Sequence, residues 1–328
     1  MNSASERMPR KDKTIPSARK SGRKAKPGTK SSPPASTPSP PTGPAPAAVL
    51  NPEKLQQLYS SMLKCRMLAK RLQEVSAVGE QNLQRTTAGC EAMLVGVLAH
   101  AKGEDSITMA ENAFLAGVLR GDPLNSLLAQ LISSVSNAGP RNEKVSPALL
   151  ALTRGMGQAK EMLDGERVAL VFCGEDPTAL TFQNEALALA AKYKAPVVCV
   201  IQIAFSSLAA AEGQRRSRSK KAPQPGFPEI VVEGADVVAI FRVAQEAVRR
   251  ARTGHGPSLI KCVMPNDGSA KSQAVSGSTH DPLVLMEHYL RRRNLWSEDW
   301  QRKIADDFTA ELDATLASME EPSPAKSG

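Results

Sequence analysis

Aromatic residues make up only 4% of this 328-residue chain: two Trp, three Tyr and seven Phe. That scarcity speaks against a nucleic-acid surface built on base stacking, which needs aromatic platforms along a basic groove. Cysteine is also sparse. Cys65, Cys90, Cys173, Cys199 and Cys262 are isolated, odd in number and set mostly in apolar stretches. None forms a CxxC pair or stands at metal-site spacing from one of the four His, so reduced core cysteines are expected and thiolate metal chemistry is not. No apolar run approaches the length of a membrane-spanning helix, and no apolar segment follows the N-terminal charges as in a secretory signal. A cytoplasmic protein without membrane contact is therefore expected.

Acidic residues are nearly missing from the first fifty positions, which carry ten Lys or Arg against Glu6 and Asp12. Eight of the nine net positive charges thus sit in this segment, and the pI of 9.4 describes a tail on a nearly neutral body. Residues 31–48 are rich in Pro, Ser, Thr and Ala. Such a chain cannot bury enough apolar surface to offset its ordering entropy, so residues 1–50 are expected to be disordered, as are residues 321–328. A basic arm is a candidate for contact with nucleic acid or another polyanion. The plainer reading is a solubilising tail, and its proline content argues against the amphipathic helix of a transit peptide.

Between these ends, residues 51–320 read as one α/β domain. Asn51-Pro52 supplies a cap and a first-turn proline. Leu55, Leu58, Tyr59, Met62, Leu68, Leu72 and Val75 then recur at mostly helical spacing. A second helix is expected over 89–100, a short strand over 104–109, and helices over 124–132 and 147–163. Residues 168–173, Val-Ala-Leu-Val-Phe-Cys, form an unbroken apolar run, as expected of a strand covered on both faces. Gly174-Glu175-Asp176-Pro177 breaks it, residues 182–193 favour helix, and 197–203 are a second apolar run. Strand, polar turn, helix and strand make a parallel βαβ unit, whose ligands belong beyond the carboxyl ends of the strands. A loop over 206–226 carries the basic cluster 214–221. It is followed by a strand over 229–232, a helix from Val237, a strand over 258–263, a helix from Asp281-Pro282 to Arg293 and a last helix capped by Ser297. The alternation predicts a mainly parallel sheet with helices on both faces.

Several segments, in order, resemble the α subunit of the thiamine-diphosphate-dependent 2-oxo acid dehydrogenases, the E1 component of the pyruvate and branched-chain complexes. Leu58-Tyr-Ser-Ser-Met-Leu-Lys-Cys-Arg66 looks like that family's opening helix. Gly89-Cys-Glu-Ala-Met-Leu-Val-Gly96 is similar to its Gly-Gln-Glu-Ala segment. Glu185-Ala-Leu187 through Lys194-Ala-Pro-Val-Val198 resembles the helix and strand after its diphosphate turn. Val232-Glu-Gly-Ala-Asp-Val237, Gly256-Pro-Ser-Leu-Ile260 and Asp281-Pro282 complete a series covering roughly residues 51–318.

The resemblance implies thiamine diphosphate and Mg as cofactors, and an E1 β-type subunit as partner in an α2β2 heterotetramer, or else an α homodimer. It also implies cofactor contacts at Gly174, Glu175 and Asp176, with Glu175 as the metal ligand. The family carries Gly-Asp-Gly at this turn. Glu175 extends the carboxylate by a methylene, which Mg²⁺ tolerates badly. Asp176 adds a side chain and a negative charge beside a polyanion. The family's metal-ligating Asn falls at Ala204. Its Tyr-Arg and His cofactor contacts fall in 108–119, where Met109-Ala-Glu-Asn112 and Phe114 stand. Residues 133–147 are too short for its Gly-rich segment, and Met264-Pro-Asn-Asp-Gly-Ser269 replaces its His loop. His280 is the nearest histidine, and a lone loop His is more often solvated than catalytic. Three functions follow: a dehydrogenase E1 α-type oxidoreductase with a degraded cofactor site, a non-catalytic relative that keeps the fold, and a polyanion-binding protein acting through its tail.

Overall fold

A computed structural model describes residues 50–75, 89–109, 113–129, 146–163, 166–174, 177–208, 226–264 and 280–320. Residues 1–49 and 321–328, where the sequence predicts disorder, lie outside the described residues, as does the basic cluster 214–221. The five strands are β1 (Ser106–Met109), β2 (Ala169–Cys173), β3 (Val197–Ala204), β4 (Glu229–Glu233) and β5 (Ser258–Met264). Every pairing is parallel, in the order β1-β2-β3-β5-β4. The unbroken apolar run of β2 is buried at all five positions, as a doubly covered inner strand requires.

Side-chain alternation divides the core in two. Ala169, Val171, Cys173, Val197, Cys199 and Ile201 pack under α4 (Pro147–Lys160) and α5 (Pro177–Lys192). Leu170, Phe172, Val198, Val200, Ile260 and Cys262 face the other way. There they meet α1 (Pro52–Val75), α2 (Glu91–Leu98), α6 (Val237–Arg252), α7 (Pro282–Arg291) and α8 (Glu298–Glu320). The connection order accounts for this sorting. β1, β2 and β3 advance across the sheet, whereas β4 is reached past β5 and the chain then turns back, so right-handed crossovers put α6 on the face opposite α5.

Local chemistry fixes the helix starts. Asp236 Oδ1 accepts from the backbone N–H groups of Val238 and Ala239, both at 2.9 Å, and Asn51 Oδ1 accepts from that of Lys54 at 3.0 Å. α5 begins at Pro177, five residues before the predicted 182, because proline suits a first helical turn as well as a loop. A helix over Ala113–Arg120, α3, was not expected from the sequence. The helix predicted over 124–132 is present over 124–129, and the residues beyond lie outside the described ones. α2 packs on α6 at Gly96, where a Cβ would stand 2.7 Å from Ile240 Cγ2, so only glycine permits that approach. Among the described residues, no helix is long and apolar enough to cross a membrane.

Candidate functional site at the carboxyl edge of the sheet

In a parallel sheet the carboxyl ends of the strands form the ligand edge. Here that edge is made by Met109, Cys173-Gly174, Ala204-Phe205, Glu233 and Met264, which end or follow the five strands. Gly174 is exposed, and a Cβ built on it would meet nothing within 4 Å. Space is therefore open above β2, and the next described residue, Pro177, starts a 16-residue helix whose partly positive amino end lies at this edge. Glu175 and Asp176, the two predicted cofactor contacts beside Gly174, lie outside the described residues.

The edge differs from a metal–diphosphate cradle at β3. Ala204 is its last residue, paired with Met264 of β5, and its side chain offers no oxygen. The following residue, Phe205, is 59% exposed. Gln202, two positions earlier, is the polar side chain nearest the end of β3. Its Oε1 accepts from Cys90 Sγ at 3.0 Å, which ties the start of α2 to the sheet. Among the described residues, no group of three or more His, Cys, Asp or Glu is placed to hold a metal ion. The open edge at Gly174 suits an anion, but the oxygen that the resemblance demands at Ala204 is missing. Among the described residues, Ala204 at the end of β3 supplies no side-chain oxygen to a metal.

Behind the edge lies an ionic cluster that sequence reasoning missed. Arg66 of α1 donates from Nε to Glu91 Oε1 at 2.8 Å and from Nη1 to Asp281 Oδ2 at 2.6 Å. Glu91 and Asp281 are 2% and 1% exposed. Glu91 also accepts from the Gly89 backbone N–H at 2.9 Å, and Asp281 caps α7 through Leu283 N–H. Burial alone would lower the Arg66 pKa, but the two carboxylates outweigh it and hold the guanidinium above its ordinary value. Arg66 thereby pins α1, α2 and α7 together at one point. The signal in the sequence was a Glu heading the otherwise apolar run 91–98. Its partner lies 25 residues away and the second carboxylate 215 away.

The remaining buried polar groups hold the scaffold. Asp105 stands just before β1 and pairs through both oxygens with Arg252, while also accepting the Val168 N–H at 2.9 Å. This clamp lies at the amino edge, away from the candidate site. The five cysteines are all buried. Cys262 is pushed up to about 12 by burial and by Cys90 nearby, which leaves it unreactive as a thiolate. Cys199 accepts from Gln183 Nε2 at 3.2 Å inside the α5 face. His280 is exposed in the turn before α7.

Comparisons with known proteins cover most of the chain. The dehydrogenase E1 component family matches residues 59–326. The chain is 28% identical to the α subunit of acetoin:2,6-dichlorophenolindophenol oxidoreductase of Bacillus subtilis over 261 residues, 72% of this chain and 77% of that protein. It is 25% identical to the pyruvate dehydrogenase E1 component subunit α of Staphylococcus aureus over 289 residues, 81% and 78% of the two chains. The same identity holds for the corresponding subunit of Acholeplasma laidlawii over 293 residues, 83% and 85%. With a parallel sheet, both helical layers and this match along most of its length, the chain belongs to the dehydrogenase E1 component family, as a diverged α-type subunit.

Proposed function

We propose that this chain is the α-type subunit of a thiamine-diphosphate-dependent 2-oxo acid dehydrogenase E1 component with a degraded cofactor site. The reaction class is oxidative decarboxylation of a 2-oxo acid with acyl transfer to a lipoyl carrier. The cytoplasmic assembly is an α2β2 heterotetramer with an E1 β-type subunit, or else an α homodimer. Gly174, Glu175 and Asp176 would face the diphosphate, and Glu175 the Mg²⁺. The observation that carries the reading is the carboxyl edge itself. It stays open at Gly174, yet β3 ends in Ala204 with no side-chain oxygen for a metal. Mg²⁺ demands near-ideal octahedral oxygen ligation, so one missing ligand and a longer carboxylate weaken the site together. Asp176 adds repulsion toward a polyanion on the order of a few kcal/mol at surface-like dielectric.

Ala204 also favours a second reading, a non-catalytic subunit that keeps the fold and its β-type partner. Contact of residues 1–50 with a polyanion is a third, on which none of the described residues bears.

Calorimetric titration of thiamine diphosphate, with and without Mg²⁺, into the chain purified with its β-type partner separates these readings. A degraded site predicts weak, metal-dependent binding. Glu175→Asp, Asp176→Gly and Ala204→Asn together should then strengthen it at least tenfold, about 1.4 kcal/mol. Micromolar binding in the unaltered complex, unchanged by those substitutions, would show an intact site. No binding in either protein, with the β-type partner still attached, leaves the non-catalytic reading.

A further inference from the structure

α1 and α8 lie side by side and run parallel. Gln301 Nε2 donates to the Tyr59 hydroxyl at 3.1 Å, and at the same offset further along both helices Arg71 Nη2 pairs with Asp313 Oδ1 at 2.9 Å. One register therefore holds between these two contacts. It sets Met67 opposite Thr309, Lys70 opposite Leu312 and Arg71 opposite Asp313. On each helix the three positions are i, i+3 and i+4, so they share a face. These six residues line a cleft of about 320 Å³, at the small end of the range for ligand pockets.

Its chemistry is divided. Leu312 is 3% exposed and Met67 packs against the core, so the floor is apolar. Thr309 Oγ1 donates to the Ala305 carbonyl at 2.8 Å, which leaves its proton unavailable to the cleft. The rim carries two cations and one acid, Lys70, Arg71 and Asp313. Asp313 is taken up by Arg71, so the charge of Lys70 stands uncompensated. The other two lysines of α1 are engaged: Lys54 Nζ donates to Gln57 Oε1 at 3.1 Å, and Lys64 Nζ lies 5.3 Å from the Phe308 ring centroid. Among the described residues Lys70 has no ion-pair partner, and a leucine faces it across the cleft.

One spare positive charge beside an apolar floor matches a ligand with one negative charge and an alkyl chain. A phosphate dianion would bring a second charge against Asp313. The pair of Arg71 and Asp313 is 42% and 53% exposed and holds weakly, so Arg71 can turn to give a carboxylate a second hydrogen bond. We propose that this cleft binds a short aliphatic monocarboxylate, with its carboxylate on Lys70 and its chain on Met67 and Leu312. The site shares no residue with the carboxyl edge of the sheet, so it stands or falls separately from the cofactor reading.

Titration of the full chain with sodium hexanoate, followed by saturation-transfer nuclear magnetic resonance, tests this. Binding should be saturable. Lys70→Met keeps an apolar stem and removes the charge, and should weaken binding by about tenfold or more. Lys70 is exposed, so the melting temperature should stay the same. 1-Hexanol, with the same chain and no charge, should bind the unaltered protein about tenfold more weakly or less well still. Asp313→Asn removes the competing acid and releases Arg71, and should tighten hexanoate binding about threefold. A general loosening of the two helices would not shift these two variants in opposite directions. Absence of saturable binding overturns the proposal. Equal affinity in Lys70→Met does so too, by putting the ligand elsewhere, and equal affinity for 1-hexanol reduces the cleft to an apolar crevice. Weaker binding in Asp313→Asn would equally overturn it, because the acid would then be part of the site.

Discussion

Asp281 contributes to stability through two separable interactions, and two substitutions take them apart. Its carboxylate is 1% exposed, accepts from Arg66 Nη1 at 2.6 Å, and caps α7 by accepting from Leu283 N–H at 2.9 Å. Breaking a buried ion pair by removing one partner typically costs about 3–5 kcal/mol. Here Arg66 keeps Glu91 at 2.8 Å and is 18% exposed, which reduces the expected loss to about 2–3 kcal/mol. Loss of the cap adds about 1 kcal/mol. Asp281→Ala should therefore destabilise the chain by about 3–4 kcal/mol. Asp281→Asn keeps an oxygen for Leu283 and should cost about 1 kcal/mol less. Urea unfolding at pH 7, followed by far-ultraviolet circular dichroism, measures both. Asp313→Ala is the control, because its pair with Arg71 is 53% and 42% exposed and should contribute at most about 1 kcal/mol. Equal losses for the Ala and Asn variants, or losses for both no larger than the control, would refute the account.

Two other perturbations follow from the packing. His100 Nε2 lies 2.8 Å from the Phe241 carbonyl oxygen, and burial first, then Lys54 and Arg252, lower its pKa from 6.5 against that hydrogen bond. The folded chain thus binds this proton less readily than the unfolded chain. Stability should be full above pH 6.5 and fall as the pH drops through the window below it, with the slope missing in His100→Gln; a slope of opposite sign in the unaltered chain would sink the assignment. Gly155→Ala would set a Cβ 2.2 Å from Val171 Cγ2, in a strand with no exposure, whereas a Cβ at Gly157 meets nothing within 4 Å. Overpacking should make the first cost about 1–3 kcal/mol. Helix propensity should make the second gain about 0.5–1 kcal/mol, and thermal melts in which both variants gain would contradict the close approach of α4 to β2.

The parts of this structure most legible in the sequence are those whose residues answer to solvent alone. β2 reads as an unbroken apolar run, and β3 as one over Val197 to Ile201, because helices cover both their faces, and each run needed no knowledge of its partner. α3 went unread, since its eight residues have too few turns for a period to stand out, and it packs beside β1 and α2. The ionic cluster of Arg66, Glu91 and Asp281 went unread for another reason. Its meaning lies in contacts between helices 25 and 215 residues apart, and propensity carries no long-range term.

The candidate site was legible only through the order of short segments, because its residues do little for the fold. A side chain at Gly174 would touch nothing, and Ala204 ends a strand whose register is already set by Val198 to Ile203 against β5. The scaffold is specified by alternating residues inside the sheet, and the ligand edge by a few residues at its rim. Substitution at the rim changes the chemistry and leaves the packing untouched. That separation is why a family match can run along most of the chain while β3 ends in Ala204, whose side chain carries no oxygen.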